Sequence, residues 1–354
     1  MQPETTHLFA QICSFENLFQ AYRKARKGKR SKDQVAAFEY NQEEELLQLQ
    51  DELLAGTWKP GAYHSFYIHD PKRRLISAAP FRDRVVHHAL CRVIEPIWER
   101  RFIFDSYANR KNKGTHRAIL RCNYFARQYP YVLQCDLEQF FPSIDHAILC
   151  ARLAKIHPEL EVMSLVDRIL KSGEGVLTKE YQMHWFPGDD LFAGLRPRGL
   201  PIGNLTSQFW ANVYLNSFDH FIKRELRCEA YLRYVDDFLL FGNDKTVLWR
   251  WCEAIQSRLV CLRLTMHPPQ VYPVTNGIPF LGFRIYPTHR RLKRKRGIVF
   301  QRRFRHLFRG WVNGDIPRRK LDDSARSWAA HASWGDTYRL RSNLLGQYNL
   351  SIRN

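Results

Sequence analysis

Apolar positions along the chain follow two rhythms, and each predicts a different element. Recurrence every three to four residues marks a helix face, whereas a short apolar run bounded by turn residues marks a strand. Phe9, Ile12, Phe15, Leu18, Phe19 and Tyr22 keep helical spacing and predict a helix over 8–22. Residues 42–55 predict a second helix that ends before Gly56. Pro60-Gly61 is a turn signal, and YHSFYIHD at 63–70 reads as a strand. Over 83–100, Val85, Val86, Ala89, Leu90, Val93 and Ile94 form the buried face of another helix.

The second half is built from the same parts. Tyr131 to Leu137 is a short apolar strand with a charge at its end, followed by a helix over 145–172. Glycine and proline crowd a loop-rich connector at 173–201, and a long helix is predicted over 203–226. AYLRYVDDFLLFG at 230–242 has the form of a hairpin: strand, acidic turn, strand. A helix at 244–262, a strand at 278–287 and a helical segment through 354 complete the series, with no internal repeat. Antiparallel hairpins set among helices predict an α+β chain, with a palm-like sheet and helical flanks.

Composition narrows the class. The chain has 354 residues, 45% hydrophobic, which is ample for a core and suits two or three subdomains. The formal charge of +20 suits a polyanionic partner, because each neutralised phosphate releases condensed counterions. That charge is concentrated: seven Lys/Arg and no acid at 22–32, ten and no acid at 290–309. The eight cysteines form no CxxC pair and lie mostly among apolar neighbours, which predicts buried free thiols in a reducing compartment. The opening residues lack the basic and apolar parts of a leader, and no apolar run reaches about 18 residues. The expectation is a soluble, cytoplasmic protein with no membrane partner.

The candidate chemistry lies in the carboxylates. Phosphoryl transfer to a 3′-hydroxyl uses two divalent ions about 3.5–4 Å apart. Magnesium asks for hard oxygen donors, a few from carboxylates and the rest from substrate. Asp236 and Asp237 stand adjacent between two apolar strands, and Asp136 ends a third. Two acidic turns, each after an apolar strand, are what a two-metal site on a sheet requires. Taken singly, an Asp-Asp pair is often only a solvated turn, and Asp136 could equally cap the following helix.

Together these residues resemble the reverse transcriptase family over roughly residues 60–290. YVDD is similar to that family's catalytic hairpin, and DLEQFFPSID at 136–145 to its first carboxylate motif. The resemblance implies a right-hand polymerase with fingers, palm and helical thumb. It implies Asp136, Asp236 and Asp237 as catalytic ligands of two Mg2+ ions. It further implies nucleotide binding by Arg74, Arg84, Phe141, Ile202, Gly203 and Gln208, with Phe141 excluding a ribose 2′-hydroxyl. FLGFRI at 280–285 resembles the primer grip, implying that role for Phe280, Leu281 and Gly282. Arg294, Arg296, Arg302, Arg303 and Arg305 would contact the nucleic-acid backbone. The implied layout is a basic helical extension at 1–60 and fingers at 61–130. A palm at 131–287 follows, with a fingers-type insertion around 145–200, and then a basic thumb at 288–354.

GLPIGNLTSQFWAN at 199–212 narrows the resemblance. Most of the family carries Gln-Gly followed, after three residues, by Ser-Pro; here Ile202-Gly203 and Ser207-Gln208 stand instead. That departure resembles the enzymes of diversity-generating retroelements, as do GKR at 28–30, RLISA at 74–78, HHAL at 87–90, KGTH at 113–116 and PTH at 287–289. The resemblance implies error-prone copying of a template-repeat RNA, mutagenic at adenines. The implied partners are structural RNA, an RNA–cDNA duplex, dNTPs and a small basic oligomeric accessory protein. Intron-type, retron-type or antiphage-defence enzymes are the alternatives, and a non-catalytic RNA-binding module is the rival outside catalysis. About 69 residues follow the primer-grip strand, too few for a thumb plus an RNase H domain, so no template degradation is expected. The lysine that often precedes the primer grip is missing from 262–274; Gln270 lies near its position, with His267 or Arg263 as substitutes.

Overall fold

The computed structural model describes residues 7–69 and 73–348. Four helices open the chain: α1 (Leu8–Cys13), α2 (Phe15–Ala25), α3 (Asp33–Tyr40) and α4 (Gln42–Leu54). The single helix expected over 8–22 is two, because Ser14 adopts extended backbone and its side chain accepts a hydrogen bond from the Asn17 amide. An N-cap of this kind starts a helix and cannot sit inside one. The expected strand at 63–70 is β1 (His64–Ile68), with Asp70 outside the described residues. It pairs antiparallel with β2 (Arg74–Ala78). Two helices follow, α5 (Phe81–Glu99) and α6 (Thr115–Gln128).

The central sheet is assembled from β3 (Tyr131–Asp136), β4 (Tyr231–Tyr234), β5 (Asp237–Gly242) and β6 (Gln270–Pro273). Its strand order is β4-β5-β3-β6, antiparallel throughout. Between β3 and β4 lie α7 (Phe140–Ser143), α8 (His146–Ala154), α9 (Leu160–Ser172) and α10 (Leu205–His220). The helix expected over 145–172 is therefore broken. Pro158 pushes the residue before it out of helical backbone and offers no amide to a continuing helix. Beyond α10 the chain makes one π-helical turn, Phe221–Glu225. α11 (Lys245–Val260) follows β5.

Alternation along the strands divides the sheet into two faces. Leu133, Cys135, Phe238 and Leu240 pack with α5, α8, α10 and α11, in a core that also takes in the N-terminal helices. Val132, Leu239 and Phe241 face α6 and a second, three-stranded sheet. That sheet holds β7 (Ile278–Phe280), β8 (Phe283–Ile285) and β9 (Arg290–Leu292). The strand expected over 278–287 is thus a hairpin, turned at Leu281-Gly282. Both turn residues have positive φ, the backbone of a two-residue type I′ connection.

The last helices, α12 (Arg294–Val312), α13 (Arg318–Ala332) and α14 (Tyr338–Gly346), have a core of their own. Its centre is Phe300 stacked on Trp328 at 4.1 Å. The sequence expectation of helix through 354 runs past the described residues at 349. All eight cysteines are free; six are buried, Cys150 is half-buried and Cys261 is exposed. Among the described residues no helix is long and apolar enough to cross a membrane.

Candidate active site

The strand register brings two of the three carboxylates face to face. Asp136 and Asp237 are cross-strand partners at the ends of β3 and β5. Cys135 and Phe238, their neighbours, point into the α10–α11 core, so both aspartates point to the opposite face. Asp136 is strand and not a cap; Asp145 caps α8 instead, accepting from the Ile148 amide.

Asp236 sits in the two-residue turn between β4 and β5, beside Val235. Val235 has φ +59, a conformation in which a β-branched side chain is strained. What holds it is Arg233, fully buried, whose Nη1 donates to the Val235 carbonyl at 2.9 Å. The other donors of that guanidinium go to Asp219 (2.8 and 2.7 Å), Asn212 and Ser106 (both 3.2 Å). All five donors of the arginine are thereby used. Asp219 is equally buried and also accepts from the Tyr231 hydroxyl at 2.7 Å.

Burial and the neighbouring carboxylates make Asp236 and Asp237 reluctant to ionise. Burial, then Asp136, then Asp236 push Asp237 up to about 7, while Gln134 and Lys293 act the other way. Asp236 is also raised, by burial and Asp136, against the nearby Arg74. Asp237 Oδ1 is buried with no hydrogen-bond partner. Among the described residues no three His, Cys, Asp or Glu side chains close around one point. The donors nevertheless fit divalent magnesium, which takes few carboxylates and leaves positions for substrate oxygens.

Arg74 begins β2 within electrostatic reach of Asp236. Arg84 does not share that location. Its Nε is buried without a partner, its cationic neighbour is Lys29, and with burial it helps depress His88 to about 4. Arg82, beside it, is tied to Glu45 and Glu52. Phe141 is half-buried against Phe140, with ring centroids 5.5 Å apart. Ile202 and Gly203 pack on β2: the Ile202 carbonyl accepts from the Ser77 amide at 2.7 Å. A Cβ on Gly203, whose φ is +125, would meet Ile76 at 3.1 Å. Asn204 laces the same junction, accepting from the Ala79 amide and donating to the Ser77 carbonyl. Gln208 is exposed on the first turn of α10.

Phe280 is buried, and Leu281-Gly282 forms the hairpin tip, where a Cβ on Gly282 would strike Arg296 at 2.8 Å. The Lys293 amide donates to the Gly282 carbonyl at 3.0 Å, which brings Lys293 toward Asp237. Arg294, Arg296, Arg302, Arg303 and Arg305 are all exposed on α12; Arg294, Arg302 and Arg305 lie opposite its buried Phe300, Phe304 and Leu307, while Arg296 and Arg303 flank that buried face. Neither substitute for the missing lysine is free. Arg263 is bound to Asp145 at 2.6 Å, and His267 Nδ1 lies 3.2 Å from Glu138. Sequence reasoning missed Arg233, Asp219, Asn204 and Lys293. The one available signal was Arg233 itself, a lone charge inside an apolar strand.

Comparison with known proteins adds the family. Residues 66–285 match the family described as reverse transcriptase (RNA-dependent DNA polymerase). The chain is similar to Protein YkfC of Escherichia coli K12, 27% identical over 283 residues, covering 68% of this chain and 71% of that protein. It is similar to the group II intron-encoded protein LtrA of Lactococcus lactis, 24% identical over 183 residues. That match covers 51% of this chain but only 28% of LtrA. Among solved structures it is similar to apo telomerase of Candida tropicalis, with TM-score 0.47, 12% identity, and coverage of 65% of this chain and 48% of that one.

Proposed function

The chain belongs to the reverse transcriptase family, and on that premise we propose that it synthesises DNA on an RNA template at Asp136, Asp236 and Asp237. The observation that carries this reading is the facing pair Asp136–Asp237 beside the strained Val235-Asp236 turn. These three carboxylates would hold two Mg2+ ions, which when bound supply charge neutralisation at the triphosphate and activation of the primer hydroxyl. Arg74 would take a phosphate of the incoming dNTP. Phe141 would lie under the sugar, Ile202-Gly203 and Gln208 would border the nascent pair, and Phe280 to Gly282 would steady the primer. The exposed arginines of α12 would grip the duplex backbone, which positions without reading sequence.

Primer extension on an RNA template with Mg2+ tests the core of the reading. Asp236→Asn should remove extension while RNA binding and thermal melting stay near wild type; near-normal extension places the chemistry elsewhere. Phe141→Ala should raise rATP incorporation relative to dATP, and an unchanged ratio reduces Phe141 to packing.

Two finer readings compete. Ile202-Gly203 and Ser207-Gln208 support a diversity-generating retroelement enzyme that makes adenine-mutagenic cDNA with a basic accessory protein. Similarity to proteins described as group II intron-encoded and as intron maturases supports an intron-type enzyme, and is the stronger support of the two. Sequencing cDNA made on a mixed-base RNA discriminates them: errors concentrated at template adenines favour the first, sparse uniform errors the second.

A further inference from the structure

The helix layer beneath the central sheet carries a cavity of about 710 Å3 on the side away from the carboxylates. Its walls are the C-terminal ends of α5, α8 and α11, the second half of α10 and the π-helical turn that follows it. Arg100, Arg101, Arg152, Lys155, Arg224 and Arg258 line it, and Glu225 is the one acid among the lining residues. None of these six cations takes part in an ion pair among the described residues. Arg152 and Arg258 are half-buried, close enough for their charges to repel, and the Nε of each is buried without a partner. Asn216 Oδ1 and Ser217 Oγ, on the same wall, are also unpartnered.

Such an arrangement works against folding. Half-buried cations facing one another repel, and orphaned donors forfeit the hydrogen bonds they had in water. A π-helical turn is uncommon and recurs at functional positions. An anion of extended shape would compensate these cations together and could accept from the Ser217 hydroxyl, because the cations come from four separate elements around an open cleft. Trp98 and Phe102 are buried in the wall, and the half-buried Phe221 ring has the Arg258 guanidinium over it at 5.3 Å, so no aromatic face is open to a base. Contact is therefore with phosphates, independent of sequence.

We propose that this cleft is a second RNA-binding site, which grips the phosphodiester backbone of folded RNA outside the template–primer path. The choice of RNA among polyanions rests on the RNA-templated reading above; the site itself does not. With both sites filled, a folded RNA would wrap from the palm's front to its back, and its template strand would be delivered by a segment held at α8 and α11.

The test uses the full chain saturated with a short RNA–DNA hybrid, so that the polymerase cleft is occupied. Binding of a labelled hairpin RNA is then followed by anisotropy across a NaCl series. Arg152→Gln with Arg258→Gln should weaken hairpin binding about tenfold and flatten the salt slope by roughly 1.5, two phosphates at about 0.7–0.9 each. Extension of the short hybrid should not change, and the Lys/Lys version of the pair should keep the affinity. Lys155→Glu with Arg224→Glu, both exposed, should give the same loss if the first pair folds poorly. Unchanged affinity and slope in both pairs overturns the proposal. So does displacement of the hairpin by inorganic tripolyphosphate or by polyglutamate as readily as by unlabelled RNA, which would assign the cleft to free phosphate or to an acidic protein. Loss of extension by wild type would sink the catalytic reading alone, since this assay reads binding only.

Discussion

Arg233 on β4 and Arg258 on α11 are both cations, and they sit in opposite circumstances. Arg233 has no exposed surface, faces a carboxylate and spends all five donors on named acceptors. Arg258 is half-buried, lies beside Arg152, pairs with no acid and leaves its Nε orphaned. A fully satisfied charge is part of the framework: it fixes a turn that would otherwise relax. An unsatisfied one is maintained against its own repulsion and is available to something outside the chain. Hydrogen-bond saturation therefore separates the charges that build this molecule from those through which it acts.

Breaking the saturated side should have the largest effect. Asp219→Ala leaves Arg233 buried and unpaired, which should cost about 3–5 kcal/mol in urea unfolding. A loss near that of an exposed ion pair, ~1 kcal/mol or less, would mean that the guanidinium finds water and is no strut.

The next effect is on pH, at the unsaturated carboxyl of the same turn. Asp237 titrates at about 7 in the fold and at 3.8 otherwise, chiefly through burial and then through Asp136 and Asp236. A raised folded value means stability that is complete below about pH 4 and lost as pH rises through about 7. Without divalent cation, the melting temperature of wild type relative to Asp237→Asn should fall across that window. Mg2+ must displace the same proton, so its affinity should climb up to about pH 7 and then level. A difference that stays flat with pH would show that water reaches Asp237.

Ile202 sharpens the contrast on a smaller scale. Its backbone is used, by Ser77, while its stiff side chain offers contact alone. Ile202→Gln should lower misincorporation opposite template adenine two- to tenfold, about 0.5–1.5 kcal/mol for one regained hydrogen bond. Matched and mismatched kcat/KM values decide it; a mismatch-to-match ratio at or above wild type clears this side chain. The smallest effect should be on the stability of the Arg152→Gln, Arg258→Gln pair, within about 0.5 kcal/mol of wild type or slightly above it. A large loss of stability there would turn the cleft into framework after all.

The sequence was most legible where one element suffices. β3, the acidic hairpin of β4 and β5 and the amphipathic face of α5 follow from local pattern alone, whereas β6, a strand of four residues, was not expected. Breaks were harder. Ser14 and Pro158 are ordinary punctuation, yet an apolar rhythm continues across both, and the rhythm carried the prediction. FLGFRI looked like one strand because Leu281 is apolar, although its positive φ makes it a turn. Partnerships between elements were legible only for the carboxylates and their hairpin, and not for the charges that support them. Arg233 is a plain charge until Asp219, fourteen residues earlier on α10, is brought beside it by folding. Lys293 belongs to the basic tail until the β9 strand carries it back to Gly282.

The distribution of thiols has a practical consequence. Cys261 is the exposed one of eight, and burial pushes most of the others toward the inert thiol form, Cys13 up to about 12. A maleimide dye should therefore attach at one position without any cysteine being removed. That position closes α11, one turn beyond Arg258, a residue that lines the rear cleft. The chain thus carries a native labelling position, and quenching of a dye placed there would report in real time when the proposed cleft fills.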